Sequence, residues 1–415
     1  MRCSDADCPY LFSIHDKDQI MINAFSISRL PNIEFGNGKV LLLPQLIRQY
    51  GQNALIVTGA NFLQATECWQ TLTEALRKNE IEWSSYPISG EPSPIMVDAA
   101  VEYFANQSFD VVVAIGGGSV LDGAKAIAGL LKVKRSVMDY LEGVGLEYEG
   151  PSVPFIAVPT TAGTGSEATK NAVISVQDKE QGFKKSFRHE MLVAEYAILD
   201  PELLTSCPKD LIAANGMDAL TQLIESYVST KANPITDALS LSGIAAVKKG
   251  LFACYESSGN TVAQGQMAYA ALLSGITLAQ VGLGSVHGLA SPMGAFFPIA
   301  HGVVCGTLLA EATNVNILSM QKREPNNIAL KKYATIGRLL SDDPIEDDNK
   351  ARFFLISLLR KWTEKLDLPS LSSLGVVEAD LKHIVKHCRG SSMKTNPILL
   401  TDDEIKSLLL LRLLG

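Results

Sequence analysis

Paired cysteines are missing from this 415-residue chain. Its seven cysteines, Cys3, Cys8, Cys68, Cys207, Cys254, Cys305 and Cys388, are odd in number and scattered, and none forms the Cys-x-x-Cys of a zinc or redox motif. That pattern reads as a reducing, cytoplasmic setting. The N-terminus, with Asp5, Asp7, His15, Asp16 and Asp18, lacks the basic and apolar segments of a signal peptide, so secretion is not expected. Basic runs are absent too. Lys and Arg total 36 against 44 Asp and Glu, a net charge of −8 that offers no footprint for nucleic acid or an anionic membrane. With 47% hydrophobic and 19% charged residues, the composition excludes disordered and collagen-like classes. At ~150 residues per domain the length suggests two to three domains, each large enough for its own core.

Charge is also missing locally. From Ser257 to Ala310 there is no Asp, Glu, Lys or Arg, which invites a membrane reading. Gln264, Gln266, Gln280, His287, Pro292, Pro298 and His301 interrupt the run, however, and no window of ~20 residues is cleanly apolar. Buried helices around a polar site are the expectation.

Apolar, β-rich runs alternate with helical stretches in the first half. Ala54–Thr58 reads as a buried strand ending at Gly59, followed by a helix over 67–78, a strand near 81–88 and a helix over 95–106. Strands over 110–115 and 155–158 come next. This alternation implies a mostly parallel sheet covered by helices, with ligands at the carboxyl ends of its strands. After Asp200-Pro201 helical periodicity takes over. The reading is an α/β domain over 1–200, with 1–25 an extension, and an all-helical domain over 201–415.

Gly116-Gly117-Gly118-Ser119 follows the third strand and opens a helix through Asp122 and Lys125. Glycines let a phosphate approach the backbone, and a helix N-terminus offers free N–H groups. The loop is neither Gly-x-Gly-x-x-Gly nor a Walker A loop. It also reads as a plain helix start, because Ser119 and Asp122 have capping-box spacing. A second loop, Pro159-Thr160-Thr161-Ala162-Gly163-Thr164-Gly165-Ser166-Glu167, crowds hydroxyls and glycines after another strand at the same sheet edge. Two such loops suit a dinucleotide.

In the second half Asp218 and Gln222 stand four apart in a helical stretch and share a face. His287 and His301, two of only six histidines, lie in the uncharged region and need partners if buried. One Asp and two His make an oxygen and nitrogen set for Fe²⁺ or Zn²⁺, with Gln222 a weaker neutral donor. Each histidine would equally serve as a satisfied core residue.

Taken in order, Gly116–Lys125, Pro159–Glu167, Leu199-Asp200-Pro201, Gly216–Gln222, His287–Phe296 with His301-Gly302, and Met393–Pro397 resemble the iron-containing (group III) alcohol dehydrogenases, of dehydroquinate synthase-like fold. The resemblance implies an N-terminal dinucleotide-binding α/β domain, an all-α C-terminal domain and an active site in the cleft between them. It implies an NAD(P)-dependent alcohol dehydrogenase or aldehyde reductase, a divalent metal (Fe²⁺ favoured, Zn²⁺ as the alternative), a small alcohol or aldehyde substrate, and a homodimer or larger homo-oligomer.

By the same resemblance Gly117, Gly118 and Ser119 would hold the pyrophosphate, with Gly116, Asp122 and Ser166 beside them. Thr160, Thr161 and Thr164 would line the adenine and ribose sites, and Lys184 or Lys185 would approach the nicotinamide ribose. Asp218, His287 and His301 would be catalytic and metal-binding. The family's metal is held by one Asp and three His, and here Gln222 occupies one histidine position. Ser291 likewise replaces a histidine near the substrate. At the end of the first strand, Gly59-Ala60-Asn61 offers no carboxylate for a ribose 2′-hydroxyl, so NADP is as credible as NAD. Rival readings are reduction of an oxo-acid such as maleylacetate, a dehydroquinate synthase-type lyase, and a nucleotide binder that has lost catalysis through Gln222 and Ser291.

Overall fold

The computed structural model describes residues 22, 24–60 and 66–413; Asn61 and most of the N-terminal extension lie outside the described residues. Eight strands are present among them: β1 (Asn32–Phe35), β2 (Asn53–Gly59), β3 (Glu82–Ile88), β4 (Val111–Gly116), β5 (Phe155–Pro159), β6 (Asn171–Val176), β7 (Phe183–Arg188) and β8 (Tyr196–Leu199). Six form one all-parallel sheet in the order β1-β8-β5-β4-β2-β3. The remaining two, β6 and β7, pair as an antiparallel hairpin.

The first-half helices are α1 (Leu43–Arg48), α2 (Glu67–Lys78), α3 (Pro94–Tyr103) and α4 (Gly118–Leu130). They cover both faces of the sheet. Leu55, Val57, Val112, Ala114, Phe155 and Ala157 pack into one core with residues of α3 and α4, whereas Ala54, Ile56, Val111, Val113, Ile115, Ile156 and Val158 pack on the other side with α1 and α2. Double-sided burial is why these strands read as unbroken apolar runs. From β2 the chain passes to β3 on one side and to β4 on the other. The carboxyl ends of β2 and β4 therefore flank a topological switch point, where doubly wound sheets bind ligands.

Beyond β8 the described elements are helical: α5 (Lys209–Val228), α6 (Pro234–Glu256), α7 (Thr261–Val281), α8 (Ser285–Phe296), α9 (His301–Arg323), α10 (Ala329–Leu340), α11 (Asp348–Lys365), α12 (Leu381–His387) and α13 (Asp402–Leu413), besides short 3₁₀ turns. The charge-free run becomes α7, α8 and the start of α9. By length and composition α9 could cross a membrane, as could the sharply bent α7/α8 pair, but 83% of the apolar window of α9 is buried inside the helical domain. These helices are apolar all round because they form the interior.

The two domains meet closely at the second loop. Gly165, at φ +62°, lies so near Gly275 of α7 that a Cβ on it would stand 2.4 Å from the Gly275 Cα. Only glycine fits both the left-handed backbone and that contact.

Candidate active site

A cleft of about 510 Å³ runs between the switch point and the helical domain. Its sheet side begins at α4, whose N-cap Gly117 is extended and whose first turn no side chain caps. The Ser119–Asp122 capping box is thus not formed, and the N-terminal end of α4 faces a cleft lined by Gly118 and Ser119. A Cβ on Gly118 would stand 2.7 Å from the Thr164 side chain, so the two loops touch at the point where a glycine is required.

Thr164, Asp122, Ser166, Lys184 and Lys185 line the same cleft. Asp122 accepts a short hydrogen bond from the Ser166 hydroxyl and another from Val173 N–H at 3.1 Å. Beneath them Lys125 is fully buried and donates to Ser166 O (2.8 Å), Ser166 Oγ (3.1 Å), Thr169 Oγ1 (3.1 Å) and Asn171 O (2.6 Å). Burial pushes its pKa down to about 8, while Asp122 and Glu167 pull it up. Lys125 thus locks the second loop to the glycine helix. Gly59, Gly116, Gly117, Thr160 and Thr161 stand behind the cleft lining. Thr160 N–H donates to Gly116 O at 3.0 Å, Thr161 packs on Gly117, and Gly59 sits against Val120.

Of the two lysines, Lys184 Nζ donates to Glu91 Oε1 at 2.7 Å, and Lys185 Nζ lies 5.9 Å from the centre of the Phe183 ring. Ser291 Oγ donates to the Lys184 carbonyl at 3.1 Å, so its hydroxyl ties α8 to β7.

The floor of the cleft is a cluster of Asp218, His287, His301 and Cys305, whose ligand-type atoms all lie within 4.8 Å of one another. Asp218 comes from α5, His287 from α8, and His301 and Cys305 from successive turns of α9. His287 Nδ1 is 2.7 Å from Glu225 Oε2, and Glu225 Oε1 accepts Val286 N–H at 2.7 Å. Glu225 thus holds the Nδ1 edge of the ring and turns Nε2 toward Asp218 Oδ1, 3.2 Å away. His301 Nε2 stands 4.0 Å from the same oxygen. Both Asp218 oxygens are nevertheless buried without a hydrogen bond, as is His301 Nδ1.

A buried carboxylate without a hydrogen bond, set among two imidazoles and a thiol, calls for a positive charge, either a proton or a metal ion. Burial works against charge on His287, yet Cys305, Asp218 and Glu225 raise its proton affinity well above the ordinary imidazole value. For His301 burial dominates and lowers it to about 4. The oxygen, nitrogen and sulfur donors of the cluster suit a divalent ion.

Gln222 lines the cleft, but its Oε1 accepts a 2.6 Å hydrogen bond from Ser274 Oγ on α7. Behind the cluster Asn396 Oδ1 accepts Ser285 N–H at 3.0 Å and Thr395 Oγ1 donates to Leu283 O at 2.5 Å. The Met393–Pro397 stretch thereby fixes the start of α8 and with it His287. Sequence reasoning missed Glu225, Cys305 and the locking role of Lys125. Glu225 had a signal: it is seven residues beyond Asp218, on the same helix face.

Comparison with known proteins agrees with this geometry. Residues 31–201 match the family model for iron-containing alcohol dehydrogenase, and residues 212–412 match the C-terminal model of the Fe-containing alcohol dehydrogenase family. The chain belongs to the iron-containing alcohol dehydrogenase family. It is 34% identical over 378 residues to alcohol dehydrogenase 4 of Schizosaccharomyces pombe, covering 90% of this chain and 86% of that protein. A crystal structure of 1,3-propanediol oxidoreductase superposes with a TM-score of 0.85 at 27% identity, over 94% of this chain and all of that one. A sulfoacetaldehyde reductase from Bifidobacterium kashiwanohense, solved with NAD⁺, gives 0.82 at 25% identity over 94% and 99%. As a member of the family the chain is an oxidoreductase acting on CH–OH groups, working between alcohol and aldehyde with a nicotinamide cofactor.

Proposed function

We propose that NAD or NADP lies across the switch point with its pyrophosphate on the N-terminal end of α4, and that a small alcohol or aldehyde binds at Asp218, His287 and His301. Supporting the cofactor half are the uncapped first turn of α4 and the two glycine- and hydroxyl-rich loops that Lys125 joins. The observation that carries the substrate half is the buried, unpaired Asp218 carboxylate facing two imidazoles. A divalent cation held there, Fe²⁺ or Zn²⁺, supplies a Lewis acid for the substrate oxygen, and the nicotinamide supplies the hydride acceptor or donor.

The chain's own residues orient these partners. Glu225 fixes the His287 tautomer, Ser291 holds α8 against β7, and Lys184, anchored by Glu91, borders the cleft beside them. In this reading the domain division falls near residue 200. The protein acts in the cytoplasm as a homodimer or larger homo-oligomer, without nucleic-acid or membrane partners.

The test follows NADH and NADPH absorbance with a panel of alcohols and aldehydes, before and after metal stripping. Turnover should appear, vanish on chelation, return with a divalent ion, and be absent in Asp218→Ala. Full turnover after exhaustive chelation, or in Asp218→Ala, refutes the metal role.

A further inference from the structure

We propose that Cys305 is the fourth metal ligand of this protein, taking the corner that Gln222 leaves, and that its thiolate biases the site toward Zn²⁺. This rests on the metal-dependent reading above.

Distances carry the argument. A tetrahedral ion with bonds of about 2.0–2.3 Å sets its nitrogen–sulfur donor pairs about 3.5 Å apart and its oxygen–nitrogen pairs about 3.3 Å apart. Cys305 Sγ lies 3.6 Å from His287 Nε2 and 3.7 Å from His301 Nε2, and Asp218 Oδ1 lies 3.2 Å from His287 Nε2. The His301–Asp218 edge, at 4.0 Å, is longer than these three, and all donor atoms of the cluster lie within 4.8 Å of one another. The sulfur therefore stands close to where a fourth donor belongs. Cys305 is fully buried, and so is the unpartnered Asp218 carboxylate beside it.

Position 222 competes weakly. The oxygen of Gln222, the only atom of its amide able to ligate, is a neutral donor with one of its two lone pairs already turned to Ser274 Oγ at 2.6 Å. A turn-by-turn relation places sulfur in the cluster instead: Cys305 follows His301 by four residues on α9, so both side chains leave one face. Thiolate is a soft ligand that favours zinc over iron among the ions this cluster suits. His301 is partly exposed on the cleft side, which leaves an approach for a fifth donor.

The experiment uses the full chain, stripped with a chelator and titrated with Co²⁺ as an optical probe and Zn²⁺ by calorimetry. Stoichiometric Co²⁺ should produce an intense near-ultraviolet thiolate-to-metal charge-transfer band. Cys305→Ser should abolish that band and weaken Zn²⁺ by more than the ~10–100-fold that loss of a supporting hydrogen bond costs. The Gln222→His/Cys305→Ser double variant should regain affinity without regaining the band. The wild-type spectrum decides even if a variant misfolds. Metal bound stoichiometrically with no charge-transfer band, or Zn²⁺ affinity unchanged in Cys305→Ser, overturns the assignment and leaves metal dependence standing. No stoichiometric metal uptake by the wild type overturns both.

Discussion

Lys125 is the residue whose replacement tests the architecture of the cofactor side most directly. Lys125→Met keeps an unbranched stem of similar length in a fully buried slot but removes the ammonium. Four oxygens, Ser166 O, Ser166 Oγ, Thr169 Oγ1 and Asn171 O, lose their donor, and Asp122, whose Oδ1 is 3.8 Å from Nζ, loses its cation. Breaking a buried ion pair from one side costs about 3–5 kcal/mol, because the remaining charge stays desolvated. For a domain of roughly 150–250 residues each kcal/mol is worth about 2–4 °C, so the melting transition should fall by roughly 10 °C.

Nucleotide binding should weaken with it, because Asp122 and Ser166 line the cleft and Lys125 sets their relation. A loss of about 10-fold, or ~1.4 kcal/mol, is expected in NADH affinity by fluorescence titration. Combining Lys125→Met with Asp122→Asn should recover part of the stability, since the orphaned carboxylate is then gone. A melting shift under about 2 °C, together with unchanged NADH affinity, would refute the picture of a buried lysine locking two phosphate-side loops.

Three other outcomes follow from the same geometry. Gly118→Val sets a branched side chain where even a Cβ would meet Thr164 at 2.7 Å, so NAD(P)H binding should drop sharply in a protein whose circular dichroism is unchanged; normal affinity in that folded variant would sink the phosphate assignment. Glu225→Gln removes the carboxylate that fixes the His287 ring and should lower divalent-metal affinity by about 10–100-fold in calorimetry, whereas equal affinity would make Glu225 a packing residue only. Because Gly59 ends β2 with no carboxylate at Gly59 or Ala60 to repel a 2′-phosphate, NADPH should support measurable turnover; its absolute rejection beside tight NADH binding would count against that reading.

Much of the fold is legible because burial leaves its mark on composition. β2, β4 and β5 lie within the cores on both sheet faces and read as runs of Val, Ile, Leu and Ala, and their partner helices α2 and α3 show as the helical stretches between them. β7 is the opposite case: Phe-Lys-Lys-Ser-Phe-Arg carries three cations because only Phe187 of its residues is fully buried, and no apolar pattern betrays it. β1 and β8, four residues each, are too short for a periodicity to emerge. The charge-free stretch from Ser257 reads as interior because scattered polar residues break its apolar run, and some of these find specific partners inside the fold: His287 meets Glu225, and Gln264 Nε2 donates to Ser258 O.

The candidate site was legible where its donors are rare residue types and obscure where they are common ones. Histidines in an uncharged run stand out, and Asp218 stands out in an apolar helix. Cys305 does not, because it belongs to no Cys-x-x-Cys pair, the spacing that marks metal sites on loops and knuckles. On a helix the informative spacing is four, and His301 with Cys305 has it. Read with that spacing, the replacement of an expected imidazole by Gln222 and the nearby thiol belong together. An amide whose oxygen is turned to Ser274 leaves the donor set one strong ligand short, and a sulfur 3.6 and 3.7 Å from the two imidazole nitrogens makes up the number. Neither change is apparent from one-dimensional proximity, since positions 222 and 305 lie on different helices, α5 and α9, that only the packed helical domain brings against each other.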